Sequence, residues 1–424
     1  MDEYLLHYIW KTQSFRTNQL FTTEDYPLKV FYPGSHNHDS GPDFSSARIK
    51  IGNVEWIGHV EIHENASDWY HHGHQGDPAY DNVILHVVWK NDKEVKLENG
   101  EKVPTLELKD CAKMEVFQNY QTLNSTPGEK IPCHKQLKQS SDLAKLHMVE
   151  RSLVERLETK AEDILRIFRQ CGQNWEETSY RLLGRSFGLR VNKEAFLRLT
   201  ETLPLNIIRS HKSRSKQIQS VLFGQAGFLE ESMDPYQAEL KNEFDFLRKK
   251  YNLSPLSRHH WKFSKLRPYS FPTMRIARFA LFIENNSHLH TTLLNLNTLD
   301  ELQRLLNQNH SLYWQEHTDF GKKSKKDFSK AGRNFTVVLI LNAIVPLLAA
   351  SARYFDRPEL MEKAISWLES LPFEKNSITG KYESFDFQQK TAADSQGQIQ
   401  LFHEYCLKKK CLSCNIGLEI FKLF

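Results

Sequence analysis

The sequence predicts an α+β protein, with a mixed β-sheet module first, a large all-α region next and a short cysteine cluster at the C-terminus. Three observations lead to this prediction. Between residues 20 and 110, short runs of β-branched and aromatic residues alternate with turn residues. From residue 141 onward, apolar residues recur at helical spacing. Three of the six cysteines lie within the last nineteen residues.

The composition is typical of a globular protein with two or three domains. The chain has 424 residues, of which 40% are hydrophobic and 25% charged. Its most apolar stretch, residues 335–352, contains Asn342 and Pro346, so we expect a buried helix and no membrane span. The first residues include two acids where a secretion signal would place lysines, which favours a cytoplasmic protein. Six cysteines are too few for a disulfide scaffold in a chain of this length.

A helix is predicted over residues 3–11, because four apolar residues there have helical spacing. The strands that follow are predicted at 28–32, 46–51, 54–63, 82–89 and 103–108. Residues 121–135 are polar and contain two prolines, so they are expected to form a linker.

A long helix is predicted to begin at Ser141 or Asp142 and to end at Cys171-Gly172. Further helices are predicted near 175–187, 192–202, 215–223, 235–250, 273–284, 298–308, 333–353, 358–370 and 395–408. The predicted domains are an acidic, histidine-rich α/β module (1–125), a basic all-α region (136–395) and a C-terminal helix with a cysteine cluster (396–424).

Charge is distributed unevenly along the chain. Residues 1–130 carry 12 basic and 20 acidic residues, a net charge of −8, and the remainder carries +12. Eight of the 19 histidines lie between residues 36 and 86. An acidic, histidine-rich module joined to a basic one indicates metal chemistry beside a surface that binds a polyanion.

The segment around Gly52-Asn53 predicts a two-residue hairpin in which residues whose numbers sum to 105 face each other. In this register Ala47, Ile49 and Ile51 meet Gly58, Trp56 and Val54 on an apolar face. Residues 55, 59, 61 and 63 point to the opposite face. Asp43 falls opposite Ile62, so the chain must bend near Gly41-Pro42 to bring its carboxylate to the face of Glu61 and His63.

This arrangement resembles the PD-(D/E)XK nuclease fold, in which a helix glutamate, a Pro-Asp and a Glu-x-Lys on the next strand hold Mg²⁺ for phosphodiester hydrolysis. Pro42-Asp43 and Glu61 match this pattern, and Glu3 is a counterpart of the helix acid. The resemblance implies that Asp43, Glu61 and His63 are catalytic and that the two carboxylates hold Mg²⁺ or Mn²⁺. His63 stands in place of the usual lysine; a neutral imidazole lacks the fixed charge of lysine but can act as a base or a ligand.

Further histidines and carboxylates follow in the sequence. His72 and His74 lie in a glycine-containing loop, and His86 lies inside an apolar strand. Together with Asp77 they extend the predicted constellation, in which His74, Asp77 and His86 are additional candidate metal ligands. Imidazole combined with carboxylate suits Mn, Fe or Zn better than Mg. The alternative is that His86 is a buried, hydrogen-bonded histidine and that the loop histidines are solvated.

Between residues 247 and 278 the chain has nine basic residues, no acids and five aromatic residues. Cations neutralise phosphates and aromatic rings stack on bases, so this region is a candidate nucleic-acid interface. The alternative is that the rings belong to the core and the charges to a solvated surface. The candidate contact residues are Arg248, Lys249, Lys250, Arg258, Trp261, Lys262, Lys265 and Arg267.

The C-terminus places His403, Cys406, Cys411 and Cys414 within twelve residues. Ligands at such short spacings can close around one Zn²⁺, so a structural zinc knuckle is predicted. The alternatives are an iron–sulfur cluster, with Cys111, Cys133 or Cys171 as the fourth ligand, and unliganded thiols.

Taken whole, the chain is similar to a bacterial family, the domain of unknown function numbered two-eight-five-one. The similar segments are GPDFSSARI, GHVEIH, DWYHHGH, YDNVILHVV, LFGQAGFL, RPYSFPTMRIA and YCLKKKCLSCNIG. This resemblance implies no activity.

The leading hypothesis is a metal-dependent nuclease-like protein whose partner is DNA or RNA. One alternative is a non-catalytic nucleic-acid or ribonucleoprotein binding module that retains a vestigial nuclease sheet. The other is a small-molecule metallohydrolase that uses the histidines.

Overall fold

The protein is described by a computed structural model that covers residues 3–37, 40–123, 130–212, 214–286, 288–307, 311–327 and 330–422. The chain forms two compact units. Unit 1 comprises Met1–Ser152, Asn376–Gln388 and Gly397–Phe424, and unit 2 comprises Leu153–Lys375 and Gln389–Gln396. Residues 397–424, which the sequence analysis assigned to a separate C-terminal domain, therefore fold within unit 1.

The five strands that the sequence predicts are present, together with four short strands that it did not predict. The described strands are β1 (Leu20–Phe21), β2 (Pro27–Tyr32), β3 (Ser35–His36), β4 (Phe44–Ile51), β5 (Val54–Asn65), β6 (Val83–Lys90), β7 (Thr105–Glu107), β8 (His317–Asp319) and β9 (Lys322–Lys323). The first seven form one mixed sheet in the order β1-β2-β4-β5-β6-β7, with β3 also paired to β4. Strands β1 to β5 pair antiparallel, whereas β5, β6 and β7 run parallel.

The predicted helices are also present, together with several short helices that the sequence analysis missed. The described α-helices are α1 (Glu3–Lys11), α2 (Asp68–His71), α3 (Met114–Leu123), α4 (Asp142–Gln170), α5 (Trp175–Phe187), α6 (Leu189–Thr202), α7 (Leu205–Arg209), α8 (Ser215–Gln225), α9 (Pro235–Tyr251), α10 (Pro272–Asn285), α11 (Leu289–Asn295), α12 (Leu299–Leu306), α13 (Leu312–Glu316), α14 (Arg333–Leu339), α15 (Val345–Phe355), α16 (Pro358–Ser370), α17 (Ala392–Gln400) and α18 (Asn415–Phe421). A π-helical segment, Ile340–Ile344, joins α14 to α15, and a second, Leu401–Cys406, extends α17.

The core of unit 1 lies on one face of the mixed sheet. Helix α1 buries its apolar stripe there against sheet residues that include Phe44, Val60 and Ile62. Residues from the C-terminal segment, such as Phe402 and Ile420, enter the same core. The N-terminal sheet and the C-terminal segment are thus parts of one folding unit.

A β-bulge in β4 changes the predicted register. The hairpin around Gly52 keeps the predicted pairing from Ile51↔Val54 to Ala47↔Gly58, but Phe44 then pairs with Val60. One extra residue of β4 is therefore accommodated between Phe44 and Ala47, where Ser46 adopts a φ of +57°. Because side chains alternate along a strand, the extra residue moves Asp43 to the opposite face from the one that strict pairing predicts. The bend that the sequence analysis placed near Gly41-Pro42 is supplied by this bulge.

Gly34 makes room for the bulge. A Cβ atom at this position would lie 2.9 Å from the carbonyl oxygen of Ser45, and the φ of Gly34 is +97°. Only glycine adopts this conformation readily and tolerates so close an approach of the neighbouring backbone. The path of β4 before Ala47 therefore depends on a glycine in the preceding turn.

Two sequence expectations in unit 1 are wrong. Val54 and Trp56, expected on the apolar face, are 54% and 46% exposed, so this end of the hairpin is not covered by the core. The expected linker at 121–135 begins inside α3, and its residues Ile131 and Cys133 are buried in the unit 1 core. Residues 124–129 of that segment lie outside the described part of the chain.

The core of unit 2 is built mainly from helices. The region that was expected to be all-α also contains the two-stranded sheet β8-β9, and Phe320 between these strands enters the core. Its most apolar helical stretch, Arg333–Phe355, is the one described helix that is long and apolar enough to cross a membrane, and 83% of its most apolar window is buried within the protein. This burial agrees with the prediction of a core helix.

The positive φ of Ser46 predicts that valine and glycine at this position have different effects on the free energy of unfolding. We expect Ser46→Val to lower the free energy of unfolding of unit 1 by about 1–3 kcal/mol, because a β-branched residue is strained at positive φ. Ser46→Gly should leave it unchanged or raise it by up to about 1 kcal/mol. Urea denaturation followed by circular dichroism measures both effects.

The matched control is Ser45→Val, since Ser45 lies next to the bulge residue but is not among the positive-φ residues. Equal losses at both positions would contradict the assignment of the strain to Ser46.

Candidate metal centre

Two carboxylates meet on the face of the sheet opposite the helical core. The backbone N–H of Asp43 donates a hydrogen bond to Glu61 Oε2 at 3.0 Å, and the N–H of Ile62 donates to Asp43 Oδ2 at 2.9 Å. The bulge in β4 makes this exchange possible, because it brings Asp43 beside Glu61 and onto the same face. Glu61 is buried and Asp43 is partly exposed.

Imidazoles from two strands and a loop surround Glu61. His63 lies two residues along β5, and His86 pairs with Glu61 across the parallel β5-β6 ladder. His63 Nδ1 is 2.8 Å from His86 Nε2, and His63 Nε2 is 3.1 Å from His72 Nδ1. His74 Nε2 lies 3.2 Å from Glu61 Oε1. His63, His72 and His74 each place one ligand atom within 4.8 Å of the other two.

Helix α1 supplies the other side of the centre. His7 Nε2 lies 3.2 Å from Asp43 Oδ2, and Glu3 Oε1 is 4.0 Å from the same nitrogen. Glu3, His7 and Asp43 form a second group whose ligand atoms all lie within 4.8 Å of one another. His7 was missed in the sequence analysis, although its position one turn after Glu3 places both side chains on the same face of α1.

Aromatic residues hold the imidazoles in place. The ring of His74 stacks on Tyr80 with a centroid distance of 3.9 Å. Trp69, fully buried at the start of α2, packs its ring edgewise against His74 and His86, each at 5.4 Å. These contacts restrict the ring orientations, which is the support that ligand imidazoles require.

Burial sets the protonation states at the centre. It lowers the pKa of His63 to about 2, with help from the neighbouring His86, His74 and His72, and lowers the pKa of His86 to about 3. Both imidazoles are therefore neutral at pH 7, as metal ligands must be. Burial also raises the pKa of Glu61 and of Glu3. Burial opposes charge on His7 too, but the contact with Asp43 and the nearby carboxylates raise the pKa of His7 above its ordinary value.

The donor set fits a divalent cation. His7 Nε2 and His74 Nε2 are buried and close to carboxylate oxygens, yet neither has an aligned hydrogen-bond partner among the described residues. Buried polar atoms are normally hydrogen-bonded, and each such exception calls for an explanation. Lone pairs of imidazole and carboxylate that converge in this way are the donors that Mn²⁺, Fe²⁺ and Zn²⁺ prefer.

Asp77 lies apart from these contacts. Its side chain is exposed and accepts a hydrogen bond from the N–H of Ala79, so it stabilises a local turn. The structure brings together five residues proposed as ligands or catalytic groups at the N-terminal site: Asp43, Glu61, His63, His74 and His86. Glu3, His7 and His72 lie beside them.

The predicted nucleic-acid interface in unit 2 is divided between surface and core. Arg275 and Arg278 are buried, whereas the seven basic residues named as candidate contacts are exposed: Arg248, Lys249, Lys250, Arg258, Lys262, Lys265 and Arg267. Trp261 is buried, and its Nε1 donates a hydrogen bond to the carbonyl oxygen of Ala226 at 2.7 Å. Its ring is therefore not free to stack on a base. Of the five aromatic residues in this region, Tyr269 is the one with an exposed side chain, at 38%.

The C-terminal candidates are also divided. Cys411 and Cys414 are buried in the unit 1 core and Cys406 packs against it. His403, on the π-helical extension of α17, is exposed.

Comparisons with known proteins identify a family and no closer relative. The profile of a family described as a protein of unknown function (DUF2851) matches residues 3–377. No curated protein and no solved structure matches the chain significantly.

The geometry predicts which of two neighbouring histidines affects metal binding. We expect His72→Ala to weaken Mn²⁺ or Zn²⁺ binding at least tenfold, because His72 belongs to the group formed with His63 and His74. His71→Ala is the control, since that side chain is 72% exposed and contacts Asp68. Isothermal titration of chelator-treated protein measures both affinities, and an equal loss in the two variants would refute the assignment.

The buried neutral histidines predict acid sensitivity. The folded protein keeps His86 neutral down to about pH 3, whereas the unfolded chain protonates it below about pH 6.5, so lowering the pH favours unfolding. Chelator-treated wild-type protein should lose unfolding free energy as the pH falls from about 6 to about 4. His86→Gln should lose about 1.4 kcal/mol less than wild type per pH unit, because it has no imidazole that becomes protonated on unfolding. Urea denaturation at several pH values tests this, with the exposed His259→Gln as control. Identical pH profiles for wild type and His86→Gln would contradict the prediction.

Proposed function

The chain belongs to the DUF2851 family of proteins of unknown function, and from this premise we propose that it is a metal-dependent nuclease-like protein that hydrolyses phosphodiester bonds in nucleic acid. The observation that carries the proposal is the pair of hydrogen bonds that holds Asp43 beside Glu61, next to His63 on the same strand. Carboxylates fixed on adjacent strands can hold a divalent cation against a phosphate. The strand order and the positions of Pro42-Asp43 and Glu61 support a likeness to the PD-(D/E)XK nuclease fold.

The ligands divide by chemistry into two groups. Asp43, Glu3 and His7 offer mainly oxygen, which suits Mg²⁺ or Mn²⁺, whereas His63, His72 and His74 offer nitrogen, which suits Mn²⁺ or Zn²⁺. Glu61 contacts both groups through its two carboxylate oxygens. A bound divalent cation would polarise the phosphodiester and lower the pKa of a bound water.

His63 stands where the PD-(D/E)XK fold usually has lysine, and this changes which residue can carry a positive charge at the centre. His63 is neutral because of its burial, so it does not supply the positive charge of lysine. Its place beside Glu61 suits orientation of the attacking water, whereas a pKa of about 2 makes it too weak a base to hold the proton of that water at pH 7. When no cation is bound, His7 can carry a positive charge instead, because the contact with Asp43 at 3.2 Å and the nearby carboxylates raise its pKa; as a metal ligand it would be neutral.

Basic side chains of β2 and β4 lie on the face of the sheet that carries Asp43, where Arg48 also forms an ion pair with Glu55 at 3.0 Å. Arg48 and Lys50 lie on the same face of β4 as Asp43, and Lys29 pairs with Lys50 across β2 and β4. Lys29 and Arg48 both lie over the exposed ring of Phe31, at 5.1 and 5.3 Å from its centroid. Cations beside an exposed ring are suited to a nucleic-acid strand, since they contact phosphates while the ring stacks on a base. The exposed cations between Arg248 and Arg267 of unit 2 offer a second polyanion-binding surface.

Cleavage assays on single- and double-stranded DNA and RNA test the proposal. We expect hydrolysis that requires added Mn²⁺ or Mg²⁺ and stops with a chelator. Asp43→Asn and Glu61→Gln should each reduce the rate at least a hundredfold, because each removes a charged ligand while preserving side-chain size. Circular dichroism checks that both variants fold.

Asp77→Asn is the matched control, because Asp77 is an exposed carboxylate of the same segment that lies apart from the cluster. Wild-type cleavage by Asp43→Asn and Glu61→Gln would overturn the assignment. Salt-sensitive binding without cleavage would identify a non-catalytic nucleic-acid or ribonucleoprotein binding module. Hydrolysis of a small phosphodiester alone, independent of ionic strength, would identify a small-molecule metallohydrolase.

A further inference from the structure

Unit 2 contains a cavity between α4, the α5-α6 pair and the helical stretch that runs from α14 to α15. Its volume is about 570 Å³, and pockets for small molecules range from about 300 to 1,000 Å³. Five of its lining residues are aliphatic or proline: Ile164, Leu182, Leu189, Val338 and Pro346. The described lining residues include no aromatic side chain, so the cavity offers a hydrocarbon surface and no platform on which a base could stack.

Three exposed cations lie where this cavity opens to solvent: Arg185 on α5, and Arg190 and Lys193 on α6. Lys193 lies 3.7 Å from its neighbour Glu194. Arg185 and Arg190, in contrast, form no ion pair with any residue in the described part of the chain. Asp163 also lines the cavity, but its carboxylate is paired with Arg166 at 2.6 Å. The opening therefore presents two arginines that are available to an anion.

From the aliphatic walls and the two unpaired arginines, we propose that this cavity binds a small amphipathic anion, with a carboxylate or phosphate head group on a hydrocarbon body. A guanidinium group can donate two parallel hydrogen bonds to either head group. Arg185 and Arg190 would hold the head group, and the aliphatic walls would cover the body. The site shares no residue with the candidate metal centre, so the proposal does not depend on the proposed nuclease activity.

A tight junction between two helices brings the arginines to one cavity. Helix α5 ends at Phe187 and α6 begins at Leu189, so Gly188 alone joins them. A Cβ atom at Gly188 would lie 2.4 Å from the carbonyl oxygen of Asn192, a contact that excludes any larger residue. Leu189, which lines the cavity, has a φ of +52°, a strained conformation for a residue with a side chain. The last turn of α5 and the first turn of α6 thus face the same space.

A π-helical segment forms the wall opposite this junction. The N–H of Val345 donates to the carbonyl oxygen of Ile340, five residues earlier, and Pro346 has no N–H to donate. Neither residue therefore satisfies the carbonyl oxygen of Leu341. Lys160 Nζ donates a hydrogen bond to that oxygen at 3.2 Å. Short π-helical turns of this kind are frequent at functional sites.

Lys160 therefore supports the wall and leaves the head group to the arginines. Its amine is occupied by the carbonyl oxygen of Leu341, and its methylene chain adds apolar surface to the lining. Burial, with a contribution from Arg156, lowers the pKa of Lys160 to about 7. The interior of the cavity consequently carries less positive charge than its opening, which favours an anion bound with its head group toward solvent.

Isothermal titration of the full-length protein with decanoate and with decyl phosphate tests the proposal. We expect saturable binding, and the tighter of the two ligands identifies the head group as carboxylate or phosphate. Decanol and decyltrimethylammonium should bind at least about tenfold more weakly, because they cannot accept charge-assisted hydrogen bonds from the arginines. Binding of neither decyl anion, or equal affinity for these anions and decanol, would overturn the proposal. So would binding of adenosine monophosphate in place of the decyl anions.

Substitutions locate the site. Arg185→Gln and Arg190→Gln should each weaken binding of the decyl anion at least about tenfold. Arg198→Gln is the matched control, because Arg198 is exposed on α6 but does not line the cavity. Val338→Phe should abolish binding, since the larger side chain would occupy the cavity. Circular dichroism checks that each variant folds. Wild-type affinity in both arginine variants, or in Val338→Phe, would show that the anion does not bind here.

Discussion

The candidate metal centre depends on one extra residue in β4. Side chains alternate between the two faces of a strand, so regular pairing from the Gly52 hairpin onward would direct Asp43 into the core beneath α1. The bulge reverses the alternation once, which keeps Ala47 and Phe44 in the core and places Asp43 beside Glu61. The energetic cost is a residue at positive φ and a glycine-only turn at Gly34. Strain of this kind is often concentrated near functional sites.

Burial shifts the pKa values of the two kinds of donor at this centre in opposite directions, because it favours the neutral form of each. It keeps the imidazoles of His63 and His86 neutral, but it also disfavours the charged forms of Glu61 and Glu3. Carboxylates in such a site are ionised only if positive charge lies close to them. Protonated His7 can provide such charge while no cation is bound, and a bound cation would provide it when His7 is a neutral ligand. The exposed side of the centre, at Glu3 and His72, leaves a route for solvent and metal.

Local patterns predicted the elements well, and distant contacts account for what they missed. Alternation and helical spacing predicted the sheet, α1 and the long helices, and the turn at Gly52-Asn53 predicted the hairpin register as far as Ala47. The bulge could not be predicted, because no local residue pattern requires an extra residue there. Trp261 seemed available because of its basic neighbours, but it packs into a core formed by other helices. Sequence spacing also could not show that Ile131 and Cys133, expected in a linker, enter the same core as the C-terminal segment.

Helix α1 connects the candidate metal centre to the C-terminal segment. It carries Glu3 and His7 to the centre, and the neighbouring stripe of the helix, with Tyr4 and Tyr8, contacts the C-terminal segment. The ring of Tyr8 packs edgewise on Phe421 at 5.0 Å, and Lys410, the residue before Cys411, lies over the ring of Tyr4 at 5.4 Å. A nine-residue helix is too short to be stable alone, so its position is set by what it packs against. The packing of the C-terminal segment against α1 therefore helps to set where Glu3 and His7 meet Asp43.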